Sequence, residues 1–577
     1  MALARGGKTD TAFITPFEES GGRQSATWDE ATSFYRRLAD KYENLKIKDG
    51  GEIIVGSPMM AVYYNGRLGK GKSTGAYEES RLQPAIDISN MVVILINNGI
   101  HAGEPDGIDA CMMLLRDAAM GKVNVPDNVF LAVIPVYNVS GALNRGCCSR
   151  ANQNGPEAYG FRGNGQNLDL NRDFIKNDAV ETWFLNGVFL AVQPDLFIDN
   201  HVSDGADYQH VITLLATQHD KLGGETGDYA YKTFTPMLYT DMRSKGYHMV
   251  PYVNDFDNTP ENGWTEFLDL PRFSSGYAAL YHTLAYVPET HMLKPYKDRV
   301  EATYQLMLTF IKTASEHADE IKKVRKHDFD ADQKNTLFPL EWTVDKTISD
   351  SVLFSGYKSG YKPSGVSGLP RLYYDRTQPF QKNVPFYDHF VPSKSVKAPK
   401  AYIVPAGWYR LLALLNDNFV QLETISKDTS INVTEYVIQD YETVQKPYEG
   451  HYLHKNVKVM PHTITKSFRK GDRIIDLDQP AKRYLIETLE PEAPDAFFAW
   501  NFFDATQQQK EYYSDYVFED IAAGLLKNDA VLRRQLDSAR KADEKFAASA
   551  AAQLDFVYRH SAYMEPGFMK YPVYRIE

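Results

Sequence analysis

Hydrophobic positions along this 577-residue chain fall into three successive regimes. Helical periodicity over residues 27–42 is followed by alternating apolar and polar positions at 52–55 and 59–64. The latter pattern predicts a strand hairpin, with Gly56 and Asn65-Gly66 as turn signals. Next come short apolar runs separated by helical stretches: strands at 91–96, 129–136, 196–199, 211–216 and 284–287, with helices at 107–120 and 179–192. Strands alternating with helices build parallel pairs, so this region predicts an α/β fold with a mixed, mostly parallel sheet flanked by helices. A long amphipathic helix starting at Arg299 closes it near Lys326.

From about 330 to 489 the only helical pattern is 408–415. Short alternating stretches at 419–425, 433–441 and 457–464 are separated by Gly, Pro, Asn and Asp, which predicts a β-rich unit. The end of the chain turns helical again, as at 531–553. The expected organisation is an N-terminal tail (1–20), an α/β domain (21–326), a β-rich accessory domain (330–489) and a helical C-terminal segment (490–577).

Composition narrows the function classes. The net charge of −12 is spread along the chain, and no Lys/Arg cluster forms a nucleic-acid footprint. Clean apolar runs near the first motif reach only about six residues, far short of a membrane span. The first twenty residues lack the apolar core of a secretory signal; a periplasmic or secreted form with its signal removed fits the same sequence. Three cysteines, Cys111 and the adjacent Cys147-Cys148, are too few for a disulfide framework and are expected as free thiols.

The candidate chemistry lies where strands end. His101-Ala-Gly-Glu104 follows the run 91–96, Asn200-His201 follows 196–199, and Glu289 follows 284–287. In open α/β sheets ligands bind beyond the carboxyl ends of the strands. Two histidines and a carboxylate form the ligand set of many catalytic zinc sites, which keep a further position for water. The remaining carboxylate would serve as base, so these residues point to a zinc hydrolase. A second His-x-x-Glu, His317 to Glu320, has no strand before it and reads as a solvated helix face. His210 and His219 have no such context either and read as structural. His291, two residues beyond Glu289, is expected as a neighbour of the site.

The segment Asn167-Leu-Asp169-Leu-Asn171-Arg172-Asp173 completes a set. His101-x-x-Glu104, Asp169-x-Asn171-Arg172, Asp199-x-His201 and a late Glu289, in that order, resemble the zinc metallocarboxypeptidase family over about residues 20–325. The resemblance implies one Zn²⁺ held by His101, Glu104 and His201, and Glu289 as general base. Asp169 would orient His101. Arg172, assisted by Asn171, would hold the free C-terminal carboxylate of a peptide substrate. An upstream arginine would stabilise the oxyanion. Arg150 fits best by order, with Arg145 and Arg162 as alternatives. A tyrosine ahead of the Glu289 strand would cap the substrate carboxylate; Tyr277 is favoured over Tyr281. Where the family usually shows Asn-Pro-Asp-Gly, this chain has Asn138-Val-Ser-Gly141.

The resemblance leads to a zinc-dependent carboxypeptidase. Two other readings fit the same residues: a zinc amidohydrolase acting on N-acyl amino acids or cell-wall peptides, and a non-catalytic binding protein. Retention of His101, Glu104, His201 and Glu289 weighs against the last. Oligomeric state and substrate side chain are open at this level.

Overall fold

The computed structural model describes residues 13–54, 57–69, 82–84, 86–254 and 259–577. Residues 1–12 of the expected tail, and Val55 and Gly56 of the expected hairpin, lie outside the described residues.

Eight strands precede residue 300: β1 (Leu45–Ile54), β2 (Ser57–Tyr64), β3 (Val92–Asn98), β4 (Val129–Ile134), β5 (Leu196–Ser203), β6 (Ile212–Ala216), the two-residue β7 (Trp264–Thr265) and β8 (Leu284–His291). All but β7 form one sheet in the order β1-β2-β4-β3-β5-β8-β6. The inner strands β4, β3, β5 and β8 run parallel; β1, β2 and β6 are antiparallel to their neighbours. The mixed, mostly parallel α/β sheet expected from the sequence is therefore present.

Burial on both faces explains the unbroken apolar runs. Along β3, Val92, Ile94 and Ile96 face one core with the helices Trp28–Lys41, Asp106–Ala119 and Tyr296–Glu316. Val93 and Leu95 face the other core with the helix Val180–Val192. Alternate residues of a strand point to opposite faces, so a strand covered on both sides must be apolar throughout. The second core is continuous with residues far down the chain, including Tyr402, Tyr484 and Trp500.

After β3 the chain crosses to β4 on one side; later it returns as β5 on the other side. That reversal makes the β3/β5 edge a switch point, where a crevice opens beyond the strand ends. Gly107 lets the helix Asp106–Ala119 start close against this crevice. A Cβ there would lie 2.3 Å from Asn98 Oδ1 and 2.5 Å from Asn200 Cβ.

Several expectations need correction. The expected tail includes Phe13 and Phe17, which are buried, and a short helix Pro16–Glu19 capped by Thr15. The pattern from Arg299 is two helices, Tyr296–Glu316 and Ala318–Lys334, separated at His317, whose φ of −121° and ψ of 20° leave the helical region. The expected free thiols Cys147 and Cys148 are joined to each other as a disulfide, leaving Cys111 free and buried.

The β-rich part holds longer strands than the alternating stretches predict: β9 (Leu337–Val344), β10 (Asp350–Pro363), β11 (Pro370–Tyr387), β12 (Phe390–Lys397), β13 (Ala401–Val404), β14 (Glu423–Thr424), β15 (Thr429–Thr443), β16 (His454–Phe468) and β17 (Arg473–Asp476). Much of β10 and β11 is exposed on both faces, so no apolar alternation marks them. The stretch 531–553 is interrupted by Asp543 and Ser549, which cap new helices through their side chains. The chain then closes on β18 (Tyr574–Ile576), which lies between β13 and β15. No helix among the described residues is long and apolar enough to cross a membrane.

One buried ion pair ties the site's framework together. Arg299, fully buried, donates from Nε to Asp106 Oδ2 at 3.0 Å, from Nη1 to Met292 O at 3.0 Å and from Nη2 to Gly155 O at 2.8 Å. Asp106, 1% exposed, also accepts from the Thr290 hydroxyl on β8. Removing one partner strands a buried charge. Arg299→Met should therefore cost about 3–5 kcal/mol, and Arg299→Met/Asp106→Leu should recover most of it, read as midpoints of urea unfolding.

Candidate metal centre and cavity

β3 ends at Asn98, and Gly99, at a φ of 67°, turns the chain out of the sheet. His101 and Glu104 follow in a tight turn closed by the Glu104 N–H on the His101 carbonyl at 2.9 Å. His201 lies near the end of β5, and its register partner on parallel β8 is Glu289. Paired residues of adjacent strands share a face, so His201 and Glu289 point into one crevice.

The two imidazoles present the same atom to the same carboxylate. His101 Nδ1 lies 3.1 Å from Glu104 Oε1 and His201 Nδ1 lies 3.1 Å from Glu104 Oε2, with ring centroids 4.8 Å apart. The far nitrogens are held by two further carboxylates. His101 Nε2 is 3.0 Å from Asp169 Oδ1, and His201 Nε2 is 3.0 Å from Asp199 Oδ2. A carboxylate on Nε2 fixes the N–H there and turns the Nδ1 lone pair inward, the arrangement metal-binding histidines require.

Charge points the same way. Three carboxylates face two imidazoles with almost no solvent between them; His101, Glu104, Asp199 and His201 are all under 5% exposed. Burial disfavours charge on His201, yet Asp199 and Glu104 outweigh it and hold its pKa well above the usual histidine value. Burial likewise opposes ionisation of Asp169, but His101, Arg162 and Arg172 keep its carboxyl well below the usual range. One ligand atom each from His101, Glu104 and His201 lies within 4.8 Å of the others. This donor set fits a divalent ion bound by imidazole and carboxylate, such as zinc.

These groups open onto a cavity of about 490 Å³. Glu289 lines it; burial pushes its carboxyl up to about 8, with His201 opposing the rise and Glu104 adding to it. Lys294, a sequence neighbour that offers a structural ion pair, is 3.5 Å from Asp207 instead. Arg150 lines the cavity and donates to Glu104 Oε1 at 2.7 Å and the Val202 carbonyl at 3.0 Å. Arg162 also lines it, donating to Asp169 Oδ2 at 3.0 Å and lying 3.6 Å from Glu104. Arg145 is elsewhere, on the carbonyls of Ser25 and Ala26.

Arg172 and Asn171 lie on the cavity wall as well. The Arg172 guanidinium stacks on Phe273 at 4.6 Å, donates Nε to the Tyr448 hydroxyl at 2.9 Å and Nη1 to the Asn171 carbonyl at 2.7 Å. Asn171 Oδ1 accepts from the Ser274 N–H at 3.1 Å. The segment Asn138–Gly141 keeps its turn, because the Asn138 side chain accepts from the Gly141 N–H at 2.8 Å and caps the helix Val139–Leu143.

Tyr277 is not brought to this cavity. It is fully buried among Phe174, Phe189 and Tyr281, and its hydroxyl donates to Asn418 Oδ1 at 2.9 Å. Tyr281 is buried beside it. The tyrosine on the wall is Tyr252, beyond β6. His291 is buried against Tyr208 and the Ala206 carbonyl, outside the lining.

Sequence reasoning missed four contributors. Asp199 entered only as part of a motif, and its hold on His201 shows only in the fold. Tyr448 and Glu449, between β15 and β16, reach back to the site; Glu449 Oε2 accepts from the Asp169 N–H at 2.7 Å. Nothing in the sequence pairs residues about 280 positions apart. Tyr252 has no motif around it.

No protein-family model and no curated protein matches the chain. Among solved structures, it is similar to a metallo-carboxypeptidase from Burkholderia cenocepacia at 12% identity, covering 50% of this chain and 68% of that one, with a TM-score of 0.35. Carboxypeptidase A from Helicoverpa armigera matches at 12% identity over 54% and 78% of the two chains, with a TM-score of 0.39. Bovine thrombin-activatable fibrinolysis inhibitor matches at 12% over 52% and 98%, with a TM-score of 0.36.

The carboxylates behind the imidazoles give this site a direct test. Asp169→Asn and Asp199→Asn should each weaken zinc binding by about 10- to 100-fold, measured by competition with a chromophoric chelator. Unchanged affinity in both would remove the orienting role.

Proposed function

We propose that this chain is a zinc-dependent carboxypeptidase, hydrolysing the last peptide bond of substrates with a free C-terminus. The observation that carries the reading is one cavity shared by the His101–Glu104–His201 cluster, the Glu289 carboxylate beside it and the Arg172 guanidinium on the wall. His101, Glu104 and His201 would hold the ion. Zinc bound there would supply a Lewis acid that polarises the scissile carbonyl and acidifies water.

The chain's own groups supply the rest. Glu289 takes a proton from the attacking water at its carboxylate and returns it to the leaving amine. Burial and the neighbouring Glu104 raise this carboxyl in the metal-free site, and a dication held by the cluster would lower it towards the ionised form that a general base needs. Arg172 has Nε and Nη1 engaged by Tyr448 and Asn171, which orients the fork and leaves Nη2 for a substrate carboxylate. Its stacking on Phe273 limits its freedom before substrate arrives. Arg150 and Arg162 both present positive charge beside Glu104, and we assign oxyanion stabilisation to Arg150, held on three sides by Gln153, Glu104 and Val202.

Mass spectrometry of a mixed peptide pool incubated with the zinc-loaded protein tests the reading. Stepwise loss of C-terminal residues is expected, slowed about 10²- to 10⁴-fold or more by Glu289→Gln, which should keep its metal. An untouched pool would contradict the carboxypeptidase and leave the amidohydrolase reading of the same residues.

Arg172→Ala should raise KM by about 10- to 100-fold for free-carboxylate peptides, the worth of a charge-assisted hydrogen bond. It should change KM little for C-terminally amidated ones. Equal effects on both would remove its role as carboxylate anchor.

A further inference from the structure

A second group of imidazoles and carboxylates lies on the other side of β6. Leu215 lines the cavity described above, whereas its neighbours Leu214 and Ala216 line another of about 280 Å³, so the strand separates the two. His219 and Asp220 open the short helix His219–Leu222 just after β6. Asp388 and His389 lie between β11 and β12, and Asp350 opens β10. One ligand atom each from His219, Asp220 and His389 lies within 4.8 Å of the others, and the same holds for Asp350, Asp388 and His389.

These side chains are held in place but not neutralised. The His219 ring lies flat on Tyr231, centroids 4.0 Å apart at 7°, and the Tyr231 hydroxyl donates to Asp350 Oδ2 at 2.7 Å. Asp220 Oδ2 accepts from the Phe390 N–H at 2.7 Å. Among the described residues, the only ion pairs to Asp220 and Asp388 are from His219 at 3.5 Å and His389 at 3.9 Å, and Asp350 has none. Arg243 reaches the cavity wall without pairing with any of them.

Asp388 supplies an independent sign of a missing partner. It is 3% exposed, and its Oδ1 has no hydrogen-bond partner. Glu266, on the same wall, likewise has a buried Oε2 with none. An orphaned buried carboxylate oxygen is costly unless a cation or donor meets it.

We propose that His219, Asp220, Asp350, Asp388 and His389 form a second divalent-metal site, of the imidazole–carboxylate class that takes zinc or a similar first-row ion. The site is a structural clip. It joins the start of β10 and the β11–β12 connection to the helix after β6, drawing together segments about 170 residues apart. The Tyr231 ring and the Asp220–Phe390 hydrogen bond position the donors from both sides before an ion arrives.

The test counts zinc by mass spectrometry on the full chain after loading and removal of loose metal. Wild type should hold about two ions, His389→Ala about one, His201→Ala about one, and the double variant none. Wild type with about one ion, lost in His201→Ala and kept in His389→Ala, would overturn the second site. The converse, one ion lost only in His389→Ala, supports this site and contradicts the catalytic one.

Thermal melting guards against misfolded variants. With the first site removed by His201→Ala, saturating Zn²⁺ should raise Tm by several degrees, and Asp388→Asn added to that background should abolish the shift. No shift in the His201→Ala chain would overturn the proposal.

Discussion

The carboxylate of Glu104 stands between the Nδ1 atoms of two imidazoles, and the rest of the molecule can be understood from what that placement demands. The two histidines come from different strand ends. Only adjacent parallel strands whose connections leave in opposite directions bring them to one crevice, and β3 and β5 are such a pair. Each ring must also be turned so that its inner lone pair is free. Asp169 and Asp199 do that from outside, and Asn97 Nδ2 steadies Asp199 in turn at 2.9 Å.

Support extends outward in layers. Behind the ligand turn, Arg299 and Asp106 join two helices and β8 through a buried network, so the strand bearing Glu289 and the helix after Glu104 keep a fixed relation. In front, the β15–β16 connection braces Asp169 through Glu449 and Arg172 through Tyr448. The C-terminal part therefore braces these residues from behind, while the cavity is lined by residues up to Met292. Its core is also continuous with one face of the main sheet, so the two parts share apolar packing as well as hydrogen bonds. Precise positioning of reactive groups depends on such secondary support.

Legibility from sequence followed the physics of each element. Strands buried on both faces, such as β3 and β5, announce themselves as apolar runs, and the residues at their ends could be named from order alone. Strands exposed on both faces, such as β10 and β11, carry no such mark and were missed. His201 and Glu289 were individually visible, but their side-by-side register depends on tertiary pairing. Position ahead of β8 points to Tyr277 in the sequence; packing against Phe174 and Phe189 places it in the core, and Tyr252 takes the cavity wall. The groups around His389 were invisible for the same reason: they meet only when β10, β11 and the helix after β6 are assembled.

We propose that Nδ1 of both His101 and His201, with the Glu104 carboxylate, holds a zinc ion. A crystal structure of the zinc-loaded protein, with anomalous data collected at the zinc edge, tests it most directly. An anomalous peak is expected about 2.0–2.1 Å from Nδ1 of each ring and beside the Glu104 oxygens, with Nε2 still on Asp169 and Asp199. The absence of a peak there, or ligation through Nε2, would contradict it.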